Sequence, residues 1–462
     1  MTPALFFFWA MLPLPTASLP TEALPIEALP TEALPAEAGP TPRADSLLPA
    51  LFEESADTPE GECAQEAPLE ATPKEEKKAQ LPLVAWVPLL PLPEAAPSVD
   101  MVRFRFKMGD GFFIASADNA SELRLRSMAQ LRATFAFEGK DAAEFSARGV
   151  RILLEGRTLE RRLVFVVHTS LGPDEFDGGS GLLDAWVSWK FGRDATLRVG
   201  QQRILFDQAS GIRRLGVFGI TRENFSHEFG LLRDVGLSLF SDDLLGHNEW
   251  LAYRIGLYGG QGRNRFSLNR SGFLAMARLT LRPFGFFDDT VDSDLERLDK
   301  HRLAVGISAA YDNNISRTGG HLSAHFDNLA FPATMNASYW NVDAMYKWKG
   351  LYVAGQYTRR VTSRAFVEND TDRVWGRSGH GYVLKASGML TRRWELLGRF
   401  SQQFGIGQTD PRLLDEPRNE LVAGLNHYFI GHALKAQLEY AARFDKNVRT
   451  QNWLRLQLQV VF

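Results

Sequence analysis

In residues 122–137 (ELRLRSMAQLRATFAF) all three arginines lie at even-numbered positions, and basic residues of several later stretches likewise fall on the parity that carries the polar side chains. A guanidinium group stays charged at physiological pH and presents a planar fork of donors that suits phosphate or carboxylate. A water-filled space lined with such groups would attract anions and repel cations. The candidate anion-binding residues, all on the parity that carries the polar side chains, are Arg124, Arg126, Arg132, Arg151, Arg157, Arg198, Arg254, Arg278, Arg302 and Arg455.

Acidic residues on the same parity are fewer than the arginines. Opposite charges that face each other on neighbouring strands stabilise a sheet, so we expect about half of the arginines to pair with acids and to hold the structure together. The remaining arginines would then be available to solutes. The candidate acidic partners are Glu155, Asp184, Asp234, Asp343, Glu395, Glu420 and Glu439.

Residue patterns for catalysis or metal binding are weak. His168 and Ser170 would share one face of a strand, but we find no acid placed to orient them, which disfavours a phospholipase-like site. His321 and His325 fall in a predicted loop, and the single cysteine, Cys63, excludes a multi-thiolate metal centre. We therefore expect no enzymatic activity, no metal and no cofactor. The basic residues form no patch with aromatic platforms, so we expect no nucleic-acid partner.

The positions between the arginines are apolar, which indicates the elements that carry them. Strict alternation of apolar and polar residues is the period of a β-strand with one face of each kind. The pattern begins at Glu122 and continues to the C-terminal Phe462. Sixteen such segments are predicted, over residues 122–137, 147–157, 161–171, 181–191, 194–203, 231–240, 250–258, 273–282, 301–312, 337–348, 350–362, 380–390, 393–404, 419–429, 433–443 and 451–462.

The connections between these segments alternate between tight turns and long polar loops. Residues 349–350 and 391–393 are tight, whereas 204–230 and 363–379 are long; residues 283–300 belong to the short set but are long. Short turns on one rim and long loops on the other are typical of an outer-membrane barrel. Such a barrel must close, because an open sheet edge in hydrocarbon leaves backbone groups unpaired. We predict an all-β, antiparallel transmembrane barrel of sixteen strands with short periplasmic turns and long extracellular loops.

Two water-soluble β architectures also alternate, and both fit less well. The strands of a sandwich average about five or six residues, which is shorter than the segments found here. A propeller would show a repeat of about 40–50 residues, and the sequence has none. The barrel is therefore the fold that we expect, and the bacterial outer membrane is its expected location.

The first hundred residues differ from the rest in charge and texture. They contain four basic and sixteen acidic residues, a balance of −12, whereas residues 101–462 contain 48 basic and 39 acidic residues, a balance of +9. Residues 1–18 have the length and the small-residue end of a signal peptide. Residues 19–100 are Pro-rich and begin with a repeated LPxEA unit, which predicts a disordered acidic leader. The alternatives are a mis-assigned start for the first segment and a spacer for the second.

Several segments of the predicted barrel resemble the phosphate-selective porin O and P family. They are residues 109–130 (GDGFFIASADNASELRLRSMAQ), 145–157 (FSARGVRILLEGR), 182–202 (LLDAWVSWKFGRDATLRVGQQ), 233–240 (RDVGLSLF), 253–262 (YRIGLYGGQG) and the terminal QLQVVF. The resemblance covers about residues 101–462 and implies a trimeric, sixteen-stranded channel. It also implies that the third long loop, near 204–230, folds inward to narrow the pore.

The residues and the resemblance together predict an outer-membrane porin. It would let small hydrophilic solutes diffuse through a basic lumen that prefers anions, with phosphate as the solute that the resemblance implies. Its partners would be those solutes, outer-membrane lipid and two further copies of the chain. The candidate residues of the constriction are Arg213, Arg214 and Arg222, whose alternative role is that of surface-exposed loop charges. The alternative function is a non-conducting barrel that acts as an adhesin or envelope anchor.

Overall fold

The computed structural model describes residues 102–137, 143–172, 181–260, 262–264, 272–315, 335–368, 373–409, 418–445 and 448–462. The predicted signal peptide and acidic leader lie outside the described residues, as do His321 and His325. Strands dominate the part of the chain that is described. No helix within that part is long and apolar enough to cross a membrane.

The described region begins with a short antiparallel hairpin. Its strands are β1 (Arg103–Lys107) and β2 (Gly111–Ala115). Gly109 in the turn and Gly111 at the start of β2 have φ of 86° and 97°. Glycine adopts this left-handed backbone without the steric penalty of a side chain, which permits the tight turn.

Eighteen further strands follow the hairpin, and sixteen of them form the barrel. The other two, β14 and β15, make a small separate hairpin within one long loop. In chain order the strands are β3 (Glu122–Ala136), β4 (Ala143–Thr158), β5 (Leu163–Ser170), β6 (Leu182–Lys190), β7 (Thr196–Arg203), β8 (Arg233–Ser241), β9 (Leu251–Tyr258), β10 (Leu274–Leu281), β11 (Arg302–Ile315), β12 (Met335–Trp348), β13 (Leu351–Thr362), β14 (Phe366–Glu368), β15 (Arg373–Trp375), β16 (Gly379–Met389), β17 (Trp394–Gly405), β18 (Asn419–Ile430), β19 (Leu434–Asp445) and β20 (Val448–Val461).

The barrel closes because its last strand pairs with its first. Each barrel strand is antiparallel to the next, and β20 pairs with the C-terminal part of β3, with Leu456 opposite Ala133. The terminal Phe462 and Ser127 exchange two backbone hydrogen bonds of 2.8 and 3.0 Å. Closure satisfies the backbone groups that an edge would expose to lipid. The predicted sixteen-stranded antiparallel barrel is confirmed.

The two rims differ in the length of their connections, as the sequence predicts. At the periplasmic rim, Lys349 and Gly350 join β12 to β13 with φ of 46° and 91°, the positive values that tight hairpin turns need. At the opposite rim, long loops join β7 to β8 and β13 to β16. The connection from β10 to β11 is the exception to the short periplasmic set.

The two faces of the barrel wall have opposite character. Apolar side chains point outward and are exposed, including Val199, Leu237, Ile255, Ile307 and Val342. Polar side chains point inward and are buried, including Ser238, Ser308, Asn341, Thr358 and Gln437. This arrangement is the reverse of a water-soluble protein, and it is stable only where the outer surface lies in lipid.

Two segments of the chain fold into the barrel interior. The inward loop (residues 204–232) contains α1 (Gln208–Gly211) and α2 (Asn224–Phe229), and the insert (residues 283–300) joins β10 to β11. Apolar side chains from both segments pack against the wall, and this contact forms a core inside the barrel. Its members include Ile212, Phe218, Phe287, Met345, Tyr352, Leu397 and Val422.

Candidate functional site

The inward loop turns into the barrel as soon as it leaves β7. The side chain of Asp207 accepts a hydrogen bond from the amide of Ser210 (2.6 Å), which starts the short helix α1. The side chain of Arg203, the last residue of β7, donates to the carbonyl oxygens of Ser210 and Ile212, both at 3.2 Å. These bonds hold the first turn of the loop over the end of its own strand.

The middle of the loop lies across the inner wall, where polar side chains bind its backbone. Lys435 donates to the carbonyl oxygen of Val217 (2.8 Å), and Glu439 accepts from the amide of Ile220 (2.7 Å). Backbone groups outside regular structure need such partners when they are buried. The other wall residues that bind this stretch are Arg132, Arg399, Asn426, Gln437 and Gln459.

The end of the loop is held by a buried cluster of charges. Glu228 of α2 forms ion pairs with Arg360 of β13 and with Arg377, whose Nη2 lies 2.8 Å from the second carboxylate oxygen. The side chains of both arginines are 0% exposed. A carboxylate between two buried guanidiniums cannot be lost without leaving their charges uncompensated. The cluster therefore fixes the loop inside the barrel.

The insert rises from the periplasmic side and meets the inward loop. The amide of Arg213 donates to the carbonyl oxygen of Thr290 (2.8 Å), and the amide of Asp292 donates to that of Gly216 (2.9 Å). The contact is close, because a Cβ atom built at Gly216 would lie 2.5 Å from a methyl carbon of Val291. We call the joined inward loop and insert the partition.

The wall also binds the insert. Arg302 of β11 forms ion pairs with Asp294 (2.6 Å) and Glu296 (2.8 Å), and Lys347 donates to the carbonyl oxygens of Asp288 and Val291. The alternation of connection lengths identified 283–300 only as a long member of the short set. The middle of this segment, around residues 287–295, lies within the barrel, whereas Phe284, Phe286 and Leu298 are exposed. The segment's six acidic residues against two basic ones gave a signal that was available in the sequence, because an acidic segment complements a basic lumen.

An exposed ion pair crosses the partition. Arg213 of the inward loop lies 2.5 Å from Asp288 of the insert, and both side chains are partly exposed. Burial raises the pKa of Asp288, but hydrogen bonds from Thr290 and the charge of Arg213 outweigh this effect and hold the pKa below its usual value. The carboxylate is therefore ionised and paired at neutral pH.

The partition covers one side of the lumen and leaves a cationic cavity on the other. The cavity has a volume of about 220 Å³ and lies against β3 to β8. Six arginines line it, and of the described lining residues Asp184 alone carries a carboxylate. Charges of one sign that converge on a small water-filled space concentrate counterions there. The six are Arg126, Arg151, Arg203, Arg213, Arg214 and Arg233.

Asp184 orients two of its neighbours in this cavity. Its carboxylate accepts from Nε and Nη2 of Arg233 (2.8 and 3.1 Å) and lies 2.8 Å from Nδ1 of His168. The expectation that no acid lies beside His168 is therefore wrong, because the pairing of β5 with β6 brings Asp184 opposite it. The hydroxyl of Ser170 donates to the carbonyl oxygen of Val150 (3.3 Å).

Two predicted arginines take part in a stack of aromatic rings and guanidiniums on the inner wall. The guanidinium of Arg198 lies 3.8 Å from the ring centroid of Trp186 and 5.0 Å from that of Phe240. The guanidinium of Arg254 lies over the same Phe240 ring, 3.9 Å from its centroid. Stacking on an aromatic ring stabilises a cation and leaves the N–H edge of the guanidinium for other partners. The two charges thereby keep a fixed position on the wall.

The other predicted arginines are bound to protein groups. Arg222 donates to the carbonyl oxygens of Ala209 and Ile212, within its own loop, and is not among the residues that line the cationic cavity. Arg132 binds Gln457 as well as the inward loop. The remaining five have carboxylate partners: Arg124 with Asp110, Arg157 with Glu155, Arg278 with Asp343, Arg302 with Asp294, and Arg455 with Glu439.

The structure thus brings Arg126, Arg151, Arg213 and Arg214 of the predicted set together in one cavity. It adds Arg203 and Arg233, which the sequence reasoning did not select. Both lie where β7 and β8 pair with each other at the mouth of the inward loop. Alternation along a strand gave no signal for them, because Arg203 shares its parity with the outward-facing Val199, and Arg233 shares its parity with the outward-facing Leu237.

Comparison with solved structures identifies the fold. OmpT of Vibrio cholerae is similar over 75% of this chain and 100% of its own, with a TM-score of 0.50 and 12% sequence identity. OmpF of Salmonella typhi, solved in complex with daunomycin, is similar over 75% of this chain and 99% of its own, with a TM-score of 0.50 and 16% identity. No family model matches the chain, and no curated protein does. At these identities the similarity establishes the fold alone.

The fold and its two faces define the class of protein. A closed sixteen-stranded barrel with an apolar exterior, short turns at one rim and long loops at the other is an outer-membrane β-barrel. The predicted location, the bacterial outer membrane, is confirmed.

Proposed function

We propose that the protein is a porin, through which small hydrophilic solutes diffuse passively across the outer membrane with a preference for anions. The observation that carries this proposal is the cavity beside the partition, where six arginines face one carboxylate. Asp184 is already engaged by Arg233 and His168, and Asp288 pairs with Arg213, so the six arginines still outnumber the two carboxylates and the cavity keeps a positive charge. An anion entering this space gains favourable contacts, whereas a cation meets a repulsive field.

Diffusion requires that each contact with the solute be weak enough to break. A set of arginines spread along the lumen meets this requirement better than one deep site, because a solute can exchange one guanidinium for the next. Arg198 and Arg254, held by aromatic rings rather than only by carboxylates, extend the set along the wall beyond the cavity. We infer that the permeating anion contacts these groups in sequence.

Phosphate is the solute that we propose in particular. Guanidinium forks bind phosphate and carboxylate through paired hydrogen bonds, and the cavity offers several such forks within one small volume. The resemblance of residues 109–130 and 182–202 to the phosphate-selective porin family supports the same solute. Competition by phosphate against chloride current tests this finer proposal separately from anion preference.

We also propose that three copies of the chain assemble in the membrane and that residues 1–18 direct export. The family resemblance supports the trimer. The short hydrophobic start of the sequence supports the export signal. Sedimentation of the detergent-purified protein tests whether three copies assemble. The N-terminal sequence of the protein recovered from membranes tests whether residues 1–18 act as the export signal.

Recording from the purified barrel in a planar bilayer tests conduction and anion preference together. We expect open steps and, in a salt gradient, a reversal potential set by the anion. The triple variant R126Q/R151Q/R214Q should reduce the anion-to-cation permeability ratio by roughly tenfold at low salt. The matched control R161Q/R162Q/R392Q removes the same charge from exposed periplasmic turns and should leave the ratio almost unchanged.

Two outcomes would contradict the proposal. A reversal potential that is the same in wild type and in the R126Q/R151Q/R214Q variant would show that the cavity does not select the permeating ion. A folded barrel that stays silent would instead favour the envelope anchor. The partition is the feature that favours this second function, because it covers much of the inner wall with packed protein.

A further inference from the structure

One part of the outward face of the barrel, formed by β11 to β13 and β16 to β18, carries a single charged side chain among the residues that the structure describes. On the outward faces of β11 to β13 and β16 to β18, Arg359 is the one Asp, Glu, Lys or Arg among the residues that the structure describes. Its neighbours on the same face of β13 are Val353, Tyr357 and Val361. An arginine in the middle of the lipid belt would cost about 2–4 kcal/mol, so its depth decides what it can do.

Arg359 lies close to the extracellular boundary of the lipid belt. It is eight residues beyond Leu351, which begins β13 directly after the periplasmic turn at Lys349 and Gly350. With a rise of about 3.3 Å per residue and a tilt of about 40°, the side chain starts roughly 20 Å above the periplasmic boundary. The apolar band of such barrels is about 25 Å tall, so a long side chain from this position reaches the outer headgroups.

The arginine stands in a row of aromatic and polar side chains across four strands. The register places Trp340 of β12, Arg359, His380 of β16 and Phe404 of β17 side by side. The rings of His380 and Phe404 stack at 5.0 Å, and Tyr357 lies 5.8 Å from His380. Aromatic residues at this level anchor a barrel in the interface between hydrocarbon and headgroups.

Arg359 is exposed, and no hydrogen bond or ion pair joins it to the described part of the protein. The arginines on the inner wall of the same strand region behave differently, since Arg360 is buried against Glu228. Adjacent residues of β13 thus present one guanidinium to a protein carboxylate and one to the outside. The outer one needs an anionic partner at headgroup level.

We propose that Arg359, flanked by Trp340, Tyr357 and His380, binds the phosphate of a phosphorylated lipid in the outer leaflet. The guanidinium fork fits a phosphate with two parallel hydrogen bonds. The neighbouring rings supply a surface for the upper part of the acyl chains and the sugar or glycerol of the headgroup. This site lies outside the barrel and does not depend on conduction through the lumen.

The test uses the full-length barrel purified in detergent, with diphosphorylated lipid A as the probe and native mass spectrometry as the readout. R359Q should bind the probe about tenfold more weakly than wild type, because one charge-assisted contact is lost. R359K, which keeps the charge but not the fork, should fall between the two. The matched control R392Q, at the opposite rim, should bind like wild type.

Removal of the phosphates from the probe separates phosphate binding from general lipid binding. Dephosphorylated lipid A should bind wild type and R359Q equally. Equal binding of the diphosphorylated probe to wild type and R359Q would overturn the proposal, and it would show that the arginine is solvated only by interfacial water. A folded barrel is verified in each case by the shift in gel mobility between heated and unheated samples.

Discussion

Arginines on the two sides of the barrel interior have different surroundings. Against β3 to β8, arginines line an open cavity and outnumber the carboxylates that face them. Against β11 to β20, the partition covers the wall, and arginines such as Arg302, Arg399 and Arg455 lie against carboxylates at 2.6 to 3.1 Å. A guanidinium on the inner wall therefore lies against a carboxylate where the partition covers it, and beside an open space where the partition does not.

The reason for the difference is the cost of burying charge. A guanidinium that is removed from water loses several kcal/mol of solvation, which only a well-placed carboxylate and further hydrogen bonds can offset. Under the partition that cost applies, and each buried arginine is compensated. In the cavity the arginines surround an open space of about 220 Å³, and we infer that solvent entering this space lowers the cost of their surplus positive charge. Matched substitutions on the covered side and on the side of the cavity test this difference.

The largest effect is expected on the covered side, at Glu228. The change Glu228→Ala leaves Arg360 and Arg377 buried without their shared carboxylate and should reduce the free energy of unfolding by about 3–5 kcal/mol. Denaturant unfolding followed by tryptophan fluorescence measures it. The control Glu368→Ala breaks the exposed pair with Arg373 and should cost less than about 1 kcal/mol. Equal losses from the two changes would contradict the assignment of Glu228 as the anchor of the inward loop.

The next effect is expected where the inward loop meets the insert. Gly216→Ala places a Cβ 2.5 Å from Val291 and should cost about 1–3 kcal/mol through overpacking. Because the two halves of the partition are forced apart, the single-channel conductance should also change. Gly211→Ala is the matched control, since a Cβ there meets nothing within 4 Å. A Gly216→Ala protein with wild-type stability would show that the partition is loosely packed.

A smaller loss of stability is expected at the carboxylate of the open side. Asp184→Asn removes the negative charge beside Arg233, but the guanidinium lines the cavity, so the cost should be about 1–3 kcal/mol, less than at Glu228. The freed charge should raise the anion-to-cation permeability ratio in bilayer recordings. Should the change cost as much as Glu228→Ala, or leave the ratio unaltered, the distinction between the two sides would fail.

The smallest effect concerns pH and the ion pair between Arg213 and Asp288. The pKa of Asp288 is lower in the folded protein than its usual value, so the pair is intact above the usual aspartate pKa and is lost as the pH falls through the lowered value. We expect the reversal potential of wild type to move toward stronger anion preference below a pH of about 4. Asp288→Asn should show that preference at neutral pH and little further change on acidification.

A second aspartate of the insert provides the control for this pH effect. Asp299 pairs with Lys349 at the outer end of the insert, and the hydrogen bond from that lysine lowers its pKa as well. Asp299→Asn should therefore keep the pH dependence of the wild-type reversal potential. Loss of the pH dependence in this variant would mean that Asp288 is not the group that titrates.

Much of the fold could be predicted because the alternation of side chains in a strand is a local property. The segment from Leu454 to Phe462 shows its two faces without reference to any other strand. The sixteen predicted segments correspond to the sixteen barrel strands, with differences of a few residues at their ends, as for β4, which begins at Ala143 rather than 147. Closure then follows from the lipid surroundings of the outer face.

The candidate site was predicted only in part. The parity pattern treated Arg126, Arg151, Arg278 and Arg455 alike. In the structure the first two line the cavity, whereas Arg278 pairs with Asp343 and Arg455 with Glu439. Parity gives the direction of a side chain and not its partner. The partner of Asp184 shows the same limit, since Arg233 lies 49 positions away in the sequence.

The sequence by itself determined the barrel, its two faces, its rims and the excess of positive charge in its lumen, because each of these follows from local spacing and composition. Only the tertiary structure decided that the middle of residues 283–300 enters the lumen, that it joins the inward loop, and which arginines line the open cavity. The physical reason is that the state of a charge depends on what covers it. Whether an arginine of the wall is covered depends on segments that lie far from it in the sequence.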